Sequence, residues 1–263
     1  MQVPDMAVGI TYVGGPTAIL EVAGLRMITD PTFSAPGKYP SGAVMLEKTE
    51  GPALTAKAAG ALDLVLLSHD QHADNFDPAG RALAESVPTL TTVAGAGRLG
   101  GHGEGLRPWE WREFAANDGT RVKVTATPAR HGPAGIEPIA GDVIGFVISV
   151  VDPAVDLVYV TGDTVWYDGV AEVARRFDPA VVLLFAGAAR TRGPFHLTMS
   201  TNDAVETAAA FPLAAIVPVH HAGWAHFTQS QEDLVKTFAV VGMADRLRTV
   251  VPGERMLLGN DGQ

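Results

Sequence analysis

The stretch LLSHDQHADNFD, residues 66–77, sets two histidines, three aspartates, a glutamine and an asparagine behind a short apolar run. Imidazole and carboxylate together are the donor set that a hydrolytic zinc or manganese site requires. Three later segments carry the same residue types: TPARHGP with His131, YVTGDT with Asp163, and IVPVHHAGW with His220 and His221. Each follows a run that reads as a β-strand, beside a Gly or Pro that lets the chain turn sharply. One such residue at a strand end is usually structural. Four segments of this kind predict a shared crevice at a sheet edge, where ligands of α/β proteins tend to bind.

The elements that must position these residues are legible in outline. Residues 9–30 read as two or three strands with Gly turns, ending at Asp30-Pro31. Residues 34–42 form a Pro/Gly loop, and 51–62 are weakly helical. LDLVLLS (62–68) reads as a buried strand, and 77–87 as a helix opened by Asp-Pro, since Pro is tolerated in the first turn. PTLTTVAG, RVKVTATPA, DVIGFVISVV and DLVYVTGD predict further strands. DGVAEVARRF and STNDAVETAAAF predict helices, the second with Ser, Thr and Asn as cap candidates. AVVLLFAG and AAIVPVH are buried strands, QSQEDLVKTFAVVGM is helical by its apolar spacing, and RTVVPGERMLL closes as a strand pair. GAGRLG (95–100) matches the dinucleotide fingerprint G-x-G-x-x-G, but GHGEGLRP follows it with no helical pattern, so a flexible loop is the expectation. No linker or fixed-period repeat divides residues 1–263, which predicts one α/β domain of two similar layers.

Composition narrows the partners. With 47% hydrophobic and 18% charged residues the chain is globular and can bury a sizeable core. A net charge of −10, with Arg175-Arg176 the one adjacent basic pair, argues against nucleic acid. The lack of cysteine excludes disulfides and thiolate metal sites and suits a reducing compartment. The opening MQVPDMAVGITYVGG has no basic region ahead of an apolar run. The longest apolar run, AVVLLFAGAA at 180–189, is half of the roughly 20 residues that span a membrane. A cytoplasmic protein without a membrane span, acting on a small molecule, is the expectation; a homo-oligomer is compatible with it.

LLSHDQHADNFD, PARHGP, VTGDT and VPVHHAGWAHF together resemble the metallo-β-lactamase superfamily. They are most similar to the branch that holds L-ascorbate-6-phosphate lactonase and N-acyl phosphatidylethanolamine phospholipase D. ITDPTFS (28–34) and FHLTMSTNDAV (195–205) extend the likeness over almost the whole chain. The resemblance implies an αββα sandwich, two mixed β-sheets flanked by helices, with metals at one edge between the sheets. The superfamily's H-x-H-x-D-H motif gives two histidines to a first metal and Asp plus His to a second. His69 matches the first histidine, Asp74 the aspartate after one extra residue, His131 the third histidine of the first metal, Asp163 the bridging carboxylate and His220 the last ligand of the second. Gln71 and Asn75 stand where two histidines are expected. An amide oxygen is a poor substitute for imidazole on zinc. His72, one residue along, is the candidate replacement, a solvent-facing or loop-bonded imidazole being the other reading. One or two divalent ions follow, zinc first, with manganese and iron chemically admissible.

The resemblance therefore implies a metal-dependent hydrolase of a small ester, lactone or phosphodiester. A divalent ion lowers the pKa of a water and polarises the scissile group. Asp74 would orient that water and take its proton, and His196 is a candidate proton donor to the leaving group, or else a hydrogen-bonded structural histidine. Gln71 and Asn75 keep open an altered member of the family, either a lyase or isomerase or a metal-poor binding module. His221 reads as pocket lining, His226 as packing or support behind the ligands, His102 as solvated and Asp30 as a turn brace. Trp109 and Trp111 read as sharing one strand face, and Trp166 and Tyr167 as candidate pocket walls.

Overall fold

Branched residues dominate positions 8–29, and the structure, a computed structural model describing residues 7–259, folds them into antiparallel strands. These are β1 (Val8–Gly14), β2 (Thr17–Val22) and β3 (Leu25–Thr29). The reading of residues 1–6 as part of a leader-free opening lies outside the described residues. A separate hairpin follows, β4 (Gly37–Ser41) and β5 (Val44–Lys48), in place of the expected loop. Pro40 sits in it without cost to a ladder because a lone strand pair has open edges. Residues 51–62 form turns rather than a weak helix, closed by Gly60 at positive φ.

The chain then forms β6 (Leu64–Leu66), α1 (Pro78–Ala84), β7 (Thr89–Thr92), α2 (Val93–Leu99) and β8 (Gly103–Leu106). Helix α2 takes up most of the glycine segment expected to be a loop. Thr92 caps it, its hydroxyl accepting from Gly95 N at 3.0 Å. The second half runs β9 (Trp111–Ala115), β10 (Arg121–Pro128), α3 (Glu137–Ala140), β11 (Ile144–Val150) and β12 (Val155–Val160). It continues through α4 (Asp168–Arg176), β13 (Val181–Phe185), α5 (Thr201–Ala210), β14 (Ala215–Val219), α6 (Gln231–Val240) and β15 (Arg255–Leu258). Helices α5 and α6 each open with a complete Ser-x-x-Asp capping box. The expected closing strand pair is one strand, β15, with Leu247 making only an isolated bridge to Ile216.

Two mixed sheets result. One has the order β15-β1-β2-β3-β6-β7-β8 and the other β14-β13-β12-β11-β10-β9. In each, a block of antiparallel strands passes into a parallel block: β3, β6, β7 and β8 in the first sheet, β12, β13 and β14 in the second. The inner faces pack on each other through one apolar core that includes Ile10, Leu20, Met27, Leu64, Val124, Phe146, Val158 and Leu183. The outer face of the first sheet is covered around Ile19, Val65, Phe76 and Ala84 of α1; that of the second by α4, α5 and α6 through Val170, Ala204, Leu234 and Phe238. This is the αββα sandwich, with a core continuous between both halves. Among the described residues no helix is long and apolar enough to cross a membrane.

Strands β3, β6, β10, β12 and β14 lead, at their C-terminal ends, into Asp30, His69, His131, Asp163 and His220. The strand pattern therefore aims all the ligand-type loops at one edge of the sandwich.

Candidate metal centre

Each residue of the 66–77 turn has a separate task. Asp70 turns away from the sheet edge and receives Arg98 through Nε at 2.8 Å and Nη2 at 2.6 Å, tying the turn to α2. Asp77 caps α1, accepting from Gly80 N, Phe33 N and Ser34 N and pairing with buried Lys48 at 3.1 Å. Gln71 packs its amide against Gly141, where a Cβ would come within 2.2 Å of Nε2. Only His69, His72 and Asp74 remain to face the crevice between the sheets, and Asn75 lies beneath them.

His69, His72 and His131 converge. His72 Nδ1 lies 2.9 Å from His69 Nε2 and 3.0 Å from His131 Nε2. The outer nitrogens are held: His69 Nδ1 meets the Ser68 hydroxyl at 2.9 Å, and His131 Nδ1 donates to the Leu197 carbonyl at 2.8 Å. That bond selects the tautomer that turns the Nε2 lone pair of His131 inward. Burial, reinforced by the neighbouring His72, pushes the His131 imidazole down to about 3 and the His69 imidazole well below its usual range. Burial also lowers His72. All three rings are therefore neutral at pH 7, with lone pairs crowded on one point. Two imidazoles bonded to one zinc ion at about 2.0–2.1 Å would hold their nitrogens roughly 3.3 Å apart, close to what is found.

Asp74, Asp163 and His220 form a second group, their ligand atoms within 4.8 Å of one another. Asp163 lies between the groups, Oδ2 at 3.6 Å from His131 Nε2 and Oδ1 at 3.6 Å from His220 Nε2. Burial pushes its carboxyl up to about 6; at Asp74 burial also acts upward, but the imidazoles of His226 and His220 outweigh it and hold that carboxyl well below the usual range. His220 is fully buried at φ 58°, its backbone N donating to Gly15 O at 2.6 Å. Gly187 makes this bend feasible: a Cβ there would stand 2.3 Å from His220 O. Both ring nitrogens of His220 and Oδ2 of Asp163 are buried without a hydrogen-bond partner. Orphaned buried donors and acceptors are costly. A divalent cation satisfies this donor set, and the residues present fit one.

Two residues beyond the matched positions complete the arrangement. His226 Nε2 lies 2.8 Å from Asp74 Oδ2, which of its two sequence readings, packing or support behind the ligands, is the second; it comes six residues after His220 on a loop with no strand to announce it. Asp30, read as a turn brace, is fully buried and accepts from Ser68 N at 2.6 Å and from Asn75 Nδ2 at 2.9 Å. Burial raises its carboxyl to about 7. Asn75 Nδ2 also reaches Asp163 Oδ1 at 3.2 Å, so the amide clamps two carboxylates.

The crevice above the groups is walled by Ser41, Val44 and Leu46 of the small hairpin and by Ala189, Thr191, Arg192 and Leu197. His196 is half-buried and is not among these walls. His221 is buried behind His220, its ring 6.0 Å from that of Tyr12. Trp166 and Tyr167 pack against the helix-covered outer core, and His102 is exposed beyond α2. Trp109 lies outside β9 at φ 76°, while Trp111 is in that strand and half-exposed, so the two share no strand face.

Residues 26–221 match the beta-lactamase superfamily domain. The chain is similar to the UPF0173 protein YddR of Bacillus subtilis (strain 168), 23% identical over 93% of this chain and 98% of that one. It is also similar to a UPF0173 metal-dependent hydrolase of Pelotomaculum thermopropionicum, 27% identical over 80% of this chain and 89% of that one. Among solved structures, the isothiocyanate hydrolase from Delia radicum gut bacteria superposes with a TM-score of 0.78 at 23% identity, covering 95% of this chain and 99% of that one. A "possible metal-dependent hydrolase" from Veillonella parvula superposes at 0.82 and 23% identity with the same coverage. At that identity the structural likenesses establish the fold. The match over most of the chain, on a sandwich whose loops bring three imidazoles and a carboxylate-rich group to one edge, places this protein in the metallo-β-lactamase superfamily.

Proposed function

We propose that the protein is a metal-dependent hydrolase of small esters, lactones or phosphodiesters, with His69, His72 and His131 holding one divalent ion and Asp74, Asp163 and His220 a second. The observation that carries this reading is the placement of Asp163, one oxygen toward each group, together with the unpartnered nitrogens of His220. The names of the UPF0173 relatives support it. Zinc is the expected ion, on an all-nitrogen group of three imidazoles. Both sheets contribute to each group, so the catalytic unit is a single domain. The cysteine-free composition suits the reducing cytoplasm we assign to it.

When bound, a divalent ion supplies Lewis acidity and lowers the pKa of water toward neutrality. Asp74, held ionised by His226 and His220, is the base that orients an attacking water through Oδ2 and takes its proton. His226 is aligned to receive that proton from Asp74 and to hand it toward the leaving group. His196 remains the other proton donor and would have to turn from its present position. Ser68 and Leu197 keep the rings of His69 and His131 in place, and Asn75 fixes Asp163 against Asp30.

The test is a panel of p-nitrophenyl esters, lactones and bis-p-nitrophenyl phosphate assayed with zinc- and manganese-loaded protein. Turnover by the native chain, reduced at least roughly a hundredfold by Asp74→Asn and abolished by Asp163→Ala, is expected. Stoichiometric metal uptake with no turnover of any of these classes would favour the non-hydrolytic reading instead.

A further inference from the structure

The crevice holds one cationic group that the metal groups leave unused. Arg192, on the loop between β13 and α5, is half-buried at the mouth of the site. Its Nη2 would lie 3.2 Å from a Cβ on Gly42, at the tip of the β4–β5 hairpin, and its charge is felt at the His72 ring. Every other arginine among the described residues has a hydrogen bond or ion pair within the protein. Arg98 grips Asp70, Arg190 donates to Pro194 O, and Arg246 binds three carbonyls, that of Ala208 in α5 and those of Phe211 and Ala214 beyond it. Arg192 alone has none.

A guanidinium carries five donors in a rigid planar fork, and at the mouth of the crevice Arg192 keeps them open to solvent with no protein acceptor. The one carboxylate on the crevice wall, Asp74, is committed to His226 and His220. Apart from the imidazoles, the rest of the wall is apolar or carries a hydroxyl not bonded to Arg192: Ser41, Thr191, Val44, Leu46, Ala189 and Leu197. A ligand that enters the crevice therefore meets these donors unclaimed by the protein. The fork matches two coplanar oxygens, as in a carboxylate or a phosphate.

We propose that Arg192 anchors an oxyanion of the substrate, so that the site selects small anionic molecules, with the scissile group over the metal groups and the anionic end beneath the hairpin tip. This rests on the reading of the two side-chain groups as a hydrolytic metal centre. Neutral esters, by contrast, would leave the guanidinium unpaired and bind less well.

The test is calorimetric titration of the metal-loaded protein with inorganic phosphate and, separately, with acetate. Native chain, Arg192→Met and Arg192→Lys are compared, with metal content measured by elemental analysis on the same samples. The native protein is expected to bind at least one of the two anions, which distinguishes phosphate from carboxylate as the source. Arg192→Met should weaken that binding roughly tenfold to a hundredfold at unchanged metal content, and Arg192→Lys should restore part of it by charge without the fork. Equal affinity in native and Arg192→Met proteins, or no binding of either anion by the native protein, overturns the proposal. If the native protein takes up no metal, the hydrolytic reading fails, and the same titrations still decide whether Arg192 receives an anion.

Discussion

Gln71 and His72 are neighbours in sequence, yet only His72 turns toward His69 and His131, while Gln71 closes against Gly141. Replacing Gln71 by histidine therefore adds no ligand, and Gln71→His is expected to leave the metal content of purified protein unchanged. His72→Ala removes one of three converging nitrogens and should lower metal affinity at least tenfold, read by competition with a chromophoric chelator. His221 offers a second check. Burial pushes its imidazole down to about 4, against a usual value near 6.5. A depressed folded value means that only the unfolded chain takes up this proton between those limits, so stability is full above pH 6.5 and falls as the pH drops toward 4. Between pH 7.5 and 5 this one residue should withdraw about 2 kcal/mol, a loss that His221→Phe should lack in urea melts of both proteins. His131, Asp163 and His220 could be picked out beforehand because each closes a hydrophobic strand beside a glycine or proline, and His69 and Asp74 because the crowded ligand-type turn after a buried strand resembles the family's motif. His226 could be read only as packing or support behind the ligands: it stands on a loop between β14 and α6, and only the folded path brings it onto Asp74.

At the scale of elements, the loop after β6 holds its shape because Asp77 joins three things. It caps α1, receives the backbone of Phe33 and Ser34, and neutralises Lys48, whose ammonium is buried and also donates to Thr32 O at 3.0 Å. Asp77→Ala leaves a buried cation unpaired and should cost about 3–5 kcal/mol in denaturant unfolding. It should also weaken metal retention, because the turn carrying His69, His72 and Asp74 loses its anchor. Gly80 is equally constrained: a Cβ there would fall 1.7 Å from Pro31 O, so α1 can lie against the β3 exit only with glycine at this position. Strands with continuous branched residues, such as VVLLF, and helices with Ser-x-x-Asp caps were legible because pattern and cap point to the same element. Three elements were not. Helix α2 is short, glycine-rich and held by one threonine cap and its packing on β7 and β8; the β4–β5 hairpin is read as a loop through its prolines and glycines; residues 51–62 lack the apolar face that would have made them a helix. In each case tertiary contact overrode a weak local preference.

At the scale of the whole molecule, the two sheets share one core, yet the loops at one edge bring neutral imidazoles, buried carboxylates and unpartnered nitrogens together. A chain folded without a cation holds these groups at a cost, and an ion that binds only the native state returns it. At an ion concentration of a thousand times Kd, the gain is about 4 kcal/mol. Removal of metal by a chelator should therefore lower Tm by several degrees, and zinc should restore it. The αββα arrangement was expected from the resemblance of four motifs and from strand-then-helix halves, since both follow the order of elements along the chain. The crevice walls were not, because the hairpin and the 189–197 loop meet only after the sheets have packed. The two-group metal centre is tested most directly by anomalous diffraction from a crystal of metal-loaded protein, recorded on both sides of the zinc edge. It predicts a peak bounded by His69, His72 and His131, and a second, of equal or lower occupancy, bounded by Asp74, Asp163 and His220. A map with no peak in either group, from protein exposed to saturating zinc, would contradict it.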